Sequence, residues 1–299
     1  MTIHRGRRQM RGARAIAALW LLFGTPTSSN GGPLELPFTL TTPTGRGPFP
    51  AVVLLHDCSG LGPRSSGSPW RWSSRLASEG YVTIWPDSFS TRGYAGGVCT
   101  ERTPPHIFER RAADAYAALA HLRTLAQVDQ RRIAVMGGSH GGSSALAAIV
   151  DVPENRGNAG RFAAAVALYP GCGRNIGDWS VRRDPNARHR ITGYSGVFKP
   201  LAPLLILTGE LDDWTPAEPC RRLAATSRQA GYPVEFVAYP DAHHAFDSAA
   251  PVRYVAERLN INAPSGYGAT TGGNEVAWDD ATTRIKAFLA KHLAAAPAR

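Results

Sequence analysis

Residues Arg132–Val150 read RIAVMGGSHGGSSALAAIV, and the organisation of the chain can be built outward from this stretch. Arg132–Met136 (RIAVM) is short, β-branched and apolar, which predicts a strand. Gly141–Val150 (GGSSALAAIV) is rich in small residues and predicts a helix. Between them stands Gly137-Gly138-Ser139-His140-Gly141-Gly142, which contains Gly-x-Ser-x-Gly. In a chain with 31 glycines the pattern alone is weak. Set between a strand and a helix it predicts a sharp turn that exposes the Ser139 hydroxyl, with flanking glycines letting strand and helix approach each other. The helix N-terminus would then aim free N–H groups at an oxyanion. A serine hydroxyl is a poor nucleophile at its ordinary pKa, so this turn calls for a base nearby.

Five more apolar runs have the same character: Ala51–His56, Tyr81–Trp85, Ala163–Leu168, Leu204–Thr208 and Val234–Tyr239. They are continuously apolar rather than alternating, as strands covered on both faces are. Helices are predicted over Trp70–Glu79, Ile107–Leu125, Pro216–Ala230 and Asp280–Leu293. Strand and helix alternate, which implies an α/β fold with a mostly parallel, doubly wound sheet and helices on both faces. An earlier strand near Leu34–Thr41 is a candidate antiparallel edge. Gly171–Lys199 and Asn262–Asn274 carry no clear period and are expected as long loops shaping a pocket.

Two of the strand ends supply partners for Ser139. The run Leu204–Thr208 leads into Asp212 and Asp213, and Val234–Tyr239 leads into His243 and His244. The order Ser, Asp, His at three strand ends would bring nucleophile, acid and base to one edge of the sheet.

The blocks LLHDCSGLG, WPDSFSTRG, RIAVMGGSHGG, LILTGELDDWTP and YPDAHHAF together resemble the dienelactone hydrolase family of α/β-hydrolases, from about Pro48 to Leu293. The resemblance implies an α/β-hydrolase fold and cleavage of carboxylic esters or lactones through an acyl-enzyme. Its Gly-x-x-Asp-x-x-Thr/Val-Pro pattern selects Asp212 over Asp213, and its His-x-Phe ending selects His244 over His243. It also implies an oxyanion hole from the backbone N–H groups of Cys58 and His140, with Asp57 and Arg92 at substrate-binding positions. Family members named for dienelactone cleavage use a cysteine where this chain has Ser139, which favours general ester chemistry. The resemblance suggests a Cys58–Cys99 disulfide clamping two loops beside the site. Cys172, which follows one strand, and Cys220, which opens the helix after the next, would form a second. A peptidase or amidase using the same triad, or a binding protein that retains the fold without turnover, are the alternatives.

The 299 residues carry a net charge of +10. Five of those charges are Arg5, Arg7, Arg8, Arg11 and Arg14, ahead of the apolar run Ala15–Gly24 and the small, polar TPTSSNGG. This is the layout of a signal peptide over residues 1–30, followed by one domain over 31–299. Removing it lowers the net charge to about +5, so no nucleic-acid partner is expected. Ten apolar residues are too few to span a bilayer, so no stable membrane insertion is expected. A periplasmic or secreted location follows, where four cysteines can pair into two disulfides. With no phosphate loop, dinucleotide fingerprint or spaced metal ligands, the expected partner is a small-molecule ester and the expected cofactors and metals are none.

Overall fold

The computed structural model describes residues 36–102, 104–158 and 160–295; the expected signal peptide lies outside them. In chain order the elements are β1 (Phe38–Thr41), β2 (Phe49–Leu55), α1 (Ser68–Ser78), β3 (Val82–Pro86), α2 (Ile107–Leu122), β4 (Val128–Gly138), α3 (His140–Ile149), α4 (Pro153–Arg156), β5 (Ala164–Leu168), β6 (Ser180–Arg183), β7 (Ile191–Ser195), β8 (Leu204–Gly209), α5 (Ala217–Gln229), β9 (Val234–Tyr239), β10 (Arg253–Leu259), β11 (Tyr267–Thr271) and α6 (Glu275–His292).

Seven strands form one sheet in the order β1-β3-β2-β4-β5-β8-β9. All neighbours run parallel except β1, which pairs antiparallel with β3. Period-two alternation divides the strands between two cores. Val53 and Leu55 of β2, Ile133 and Val135 of β4, and Ile206 of β8 pack with α2, α3 and α5. Val52, Leu54, Ala134, Met136, Leu205 and Leu207 face the opposite way, onto α1 and α6. The fold is therefore the α/β arrangement with helices on both faces. Burial on both sides explains why these strands read as unbroken apolar runs.

Element ends differ from the sequence expectation where capping decides them. Helix α6 begins at Glu275 rather than Asp280, because the Asn274 side chain accepts the Ala277 N–H at 3.0 Å and caps the helix. Of the two stretches expected as loops, the first contains a hairpin and the second contributes β11 to a hairpin that begins ahead of it. In the first, β6 and β7 pair antiparallel, and the hairpin is anchored by the fully buried Trp179. Its indole donates to the Cys172 carbonyl at 3.0 Å and stacks on Tyr194. In the second, β10 and β11 pair antiparallel with a register shift. Among the described residues, no helix is long and apolar enough to cross a membrane.

Candidate active site

Ser139 stands between the end of β4 and the start of α3, with φ 55° and ψ −118°. A non-glycine residue holds that backbone only when its surroundings impose it. Here they do. The Ser139 N–H donates to the Leu168 carbonyl at 2.9 Å, and the Ser139 carbonyl accepts the Ser143 N–H at 2.9 Å. The flanking glycines are required by contact: a Cβ on Gly141 would fall 2.0 Å from the Leu55 carbonyl, and one on Gly137 2.5 Å from the Gly141 backbone. Strand β2, strand β4 and helix α3 thus meet backbone to backbone beneath the serine.

The other two residues reach Ser139 from beyond β8 and β9. The Ser139 hydroxyl lies 2.8 Å from His244 Nε2, and His244 Nδ1 lies 2.8 Å from Asp212 Oδ2. With Nδ1 facing a carboxylate, that nitrogen carries the hydrogen and Nε2 is left to accept from the serine. Asp212 is itself held in place. Its Oδ1 accepts the N–H groups of Trp214 (2.9 Å) and Thr215 (2.8 Å), and its Oδ2 lies 2.9 Å from the Thr215 hydroxyl. The Thr215 hydroxyl was not singled out from sequence. The imidazole is packed between Tyr169 and Trp214, with ring centroids at 4.8 and 4.7 Å.

The β10–β11 hairpin fastens both of these loops. The Gly272 N–H donates to the His244 carbonyl at 3.0 Å. Asp213 accepts from the Thr270 N–H and hydroxyl at 2.8 and 2.9 Å. Trp214 Nε1 donates to the Leu259 carbonyl at 2.9 Å. Asp213 therefore binds the hairpin, while Asp212 faces the histidine.

A cavity of about 200 Å³ opens beside Ser139, and both oxyanion candidates, Cys58 and His140, line it. Disulfides join Cys58 to Cys99 and Cys172 to Cys220, with Cα separations of 4.9 and 5.0 Å. The first ties the loop after β2 to the segment ahead of α2. The second ties the segment after β5 to α5. Bonds of this kind persist in oxidising compartments.

The two residues expected at substrate-binding positions are engaged elsewhere. The Arg92 guanidinium makes a two-pronged pair with Asp114 at 2.7 and 2.6 Å and donates to the Ser88 carbonyl at 2.7 Å. Asp57 accepts from Ser59 N–H and Oγ at 2.8 and 2.5 Å, and from the Ser66 hydroxyl. Neither residue lines the cavity. Asp114 lies on a buried helical turn 22 residues away, so nothing in the local WPDSFSTRG block reveals that Arg92 already has a partner.

A buried group of Arg111, His56 and His140 packs behind the start of α3. Arg111 is fully buried and donates to the His56 carbonyl and to His140 Nδ1, each at 2.6 Å. Burial lowers Arg111 to about 10, which leaves it charged at neutral pH. Burial first, and the Arg111 charge second, hold His56 down to about 3 and His140 well below its ordinary value. Both imidazoles are thus neutral in the folded protein. The sign of the pH effect follows. Below about 6.5 the unfolded chain takes up protons that the folded chain refuses. Stability is therefore complete above that pH and falls as the pH drops toward 3, with a limiting slope of about 1.4 kcal/mol per unit from His56, and His140 acts in the same direction. Urea midpoints measured between pH 7 and 5 should decline, and His56→Asn should decline less steeply. A wild-type midpoint constant over that range would contradict the buried neutral assignment.

Residues 36–293 match the model of the dienelactone hydrolase family. A protein of Methylorubrum extorquens named for carboxymethylenebutenolidase is 25% identical over 228 residues, covering 74% of this chain and 72% of that one. The acylamino-acid-releasing enzyme of Arabidopsis thaliana is 25% identical over 223 residues, 66% of this chain but only 28% of that enzyme. Among solved structures, the apo form of Thermogutta terrifontis esterase 2 superposes with a TM-score of 0.59 at 21% identity, covering 89% of this chain and 92% of the other. That last likeness is one of fold.

Proposed function

The chain belongs to the dienelactone hydrolase family, and from that premise we propose that it is an exported serine esterase, cleaving small carboxylic esters through Ser139, His244 and Asp212. The observation that carries this is the unbroken hydrogen-bonded series from the Ser139 hydroxyl through His244 to Asp212, at 2.8 Å for each link, opening onto a cavity.

In the proposed reaction His244 Nε2 takes the Ser139 proton as the oxygen attacks the ester carbonyl. Asp212 holds the ring in the tautomer this requires and stabilises the imidazolium that forms. Negative charge on the carbonyl oxygen is met by the N–H groups of His140 and Cys58. His140 is the first residue of α3, so its N–H has no partner within the helix, and the helix dipole adds to its field. One oxyanion donor of this kind contributes about 3 kcal/mol. The imidazolium then protonates the leaving alcohol, and water attacks the acyl-Ser139 by the same route in reverse. The Cys58–Cys99 disulfide fixes the loop carrying the second donor. The two disulfides also support export, since the reducing cytosol does not maintain such bonds. Residues 31–299 are proposed to form the one catalytic domain.

Esters and amides share this machinery, and similarity to an acylamino-acid-releasing enzyme keeps the amidase alternative in view. The test compares initial rates on p-nitrophenyl acetate, p-nitrophenyl butyrate and butyryl p-nitroanilide. Turnover of the esters with kcat/KM at least about 1,000-fold above the anilide, equivalent to about 4 kcal/mol, is expected. Comparable rates on the anilide would assign an amidase. Folded protein inert to all three, and to a fluorophosphonate, would leave a binding protein.

A further inference from the structure

We propose that Asp247 is a positioning residue for His244: by holding the Tyr169 hydroxyl it fixes the aromatic wall that keeps the imidazole in line with Ser139. Its effect on catalysis rests on the esterase reading above; the placement of the imidazole does not.

The two hydrogen bonds of His244, from Nδ1 to Asp212 and from Nε2 to Ser139, are each 2.8 Å long. They set the direction of the ring within its own plane. Motion out of that plane is resisted by whatever packs on the ring, and a small displacement there costs proton transfer dearly. Two aromatic rings provide the packing, Tyr169 at 4.8 Å and Trp214 at 4.7 Å. Each is anchored at its polar tip. Trp214 Nε1 donates to the Leu259 carbonyl at 2.9 Å, and the Tyr169 hydroxyl donates to Asp247 Oδ1 at 2.5 Å.

Asp247 is fully buried and stands three residues beyond His244. Its Oδ2 accepts the Trp72 Nε1 hydrogen at 2.6 Å and lies 4.0 Å from Arg71 Nη2, while its backbone carbonyl accepts from Arg71 Nε at 3.1 Å. One carboxylate thus ties the histidine loop to Tyr169 and to α1. Tyr169 is held at its other polar atoms as well. Its N–H donates to the Leu207 carbonyl at 2.6 Å, and its carbonyl accepts the Thr215 hydroxyl at 3.0 Å. Its φ of 37° is left-handed, a strained backbone for a tyrosine that the surroundings must impose. The hydroxyl reaches across Gly138, where a Cβ would fall 2.6 Å from it. Burial first, and the Asp247 charge second, push the phenol well above its ordinary range, so it stays protonated and donates.

A phenylalanine would fill the same space against His244 and Phe246 without burying a hydroxyl and a carboxylate, both costly to desolvate. The polar pair fixes what apolar packing leaves adjustable, the height at which the ring meets the imidazole.

The test measures p-nitrophenyl butyrate turnover and the rate of fluorophosphonate labelling in Tyr169→Phe, Asp247→Leu, Asp247→Asn and the Tyr169→Phe/Asp247→Leu double variant. In Tyr169→Phe and Asp247→Leu, kcat and the labelling rate should fall about 10- to 100-fold while KM changes less than about twofold. Asp247→Asn keeps an acceptor and should retain more activity than Asp247→Leu. Asp247→Leu added to Tyr169→Phe should cost less than about twofold more, because Asp247 acts through a hydroxyl already removed. Tyr116→Phe is the control. It deletes another buried tyrosine hydroxyl, which donates to the Ala148 carbonyl at 2.9 Å between α2 and α3, and should lower urea stability with kcat unchanged. Near-UV circular dichroism checks folding, and Tyr169→Phe, the milder change, tests the same bond if Asp247→Leu does not fold. A readout independent of turnover is the downfield proton resonance of His244 Nδ1–H, which should move or broaden in both single variants. Wild-type kcat and labelling in the folded variants, or fully additive losses in the double variant, would overturn the assignment while the esterase reading stands. A wild-type protein that hydrolyses nothing and takes no label would remove the esterase reading instead. The His244 resonance then decides the positioning role, upheld by a change in the variants and overturned by its absence.

Discussion

Ser139→Ala should lower kcat on p-nitrophenyl butyrate by about 100,000-fold, some 7 kcal/mol of transition-state stabilisation, while the protein stays folded and KM changes little. The magnitude follows from how the site is built. The hydroxyl is the group aligned with His244 Nε2 at 2.8 Å, and without it water must attack with no positioned nucleophile. Stability should barely change, because the substitution removes one oxygen from a residue whose backbone is held by Leu168 and Ser143. The rate that remains should exceed that in water, since oxyanion donors and substrate binding survive loss of the nucleophile. Parallel measurement of urea stability separates loss of chemistry from loss of fold.

The second large effect should fall on one of two adjacent aspartates. Asp212→Asn should cost about 10,000-fold in kcat, because an amide facing Nδ1 favours the wrong imidazole tautomer and does not stabilise the imidazolium. Asp213→Asn should cost less than about tenfold. Its carboxylate binds Thr270, so its loss loosens the β10–β11 hairpin rather than the histidine. The contrast is informative because the two residues are chemically identical and share a loop. Equal losses from the two substitutions, or a larger one from Asp213→Asn, would place the acid wrongly.

That Ser139, Asp212 and His244 stand at three strand ends on one sheet edge was legible in the sequence, for a physical reason. Strands buried on both faces must be apolar throughout, so β4, β5, β8 and β9 stand out from their surroundings, and whatever follows a strand is delivered to its C-terminal edge. The hairpins were not legible. Strand β10 is mostly exposed, with Tyr254 at 65%, and an exposed strand is not required to show an apolar pattern. The anchor of the β6–β7 hairpin is the single residue Trp179, buried by tertiary contacts that no local period announces. Arg92 shows the same limit in the site. Resemblance drew attention to Arg92, but a carboxylate from α2 occupies it.

Helix α3 and the glycines around it show how closely sequence and site are joined. The backbone contacts at Gly137 and Gly141 leave no room for a side chain, so the small-residue run that marks the turn in the sequence also sets the unusual backbone of Ser139. The same turn begins the helix whose first N–H is the proposed oxyanion donor. Ser139 and the His140 N–H are thereby fixed to one junction of β2, β4 and α3.

The most direct test of the central claim is to treat the folded protein with a fluorophosphonate and map the adduct by peptide mass spectrometry. One equivalent of label on Ser139, absent from Ser139→Ala and strongly slowed in His244→Ala, is the result expected of an activated serine in this geometry. A folded protein that remains unlabelled, or carries the label on another residue, would contradict it.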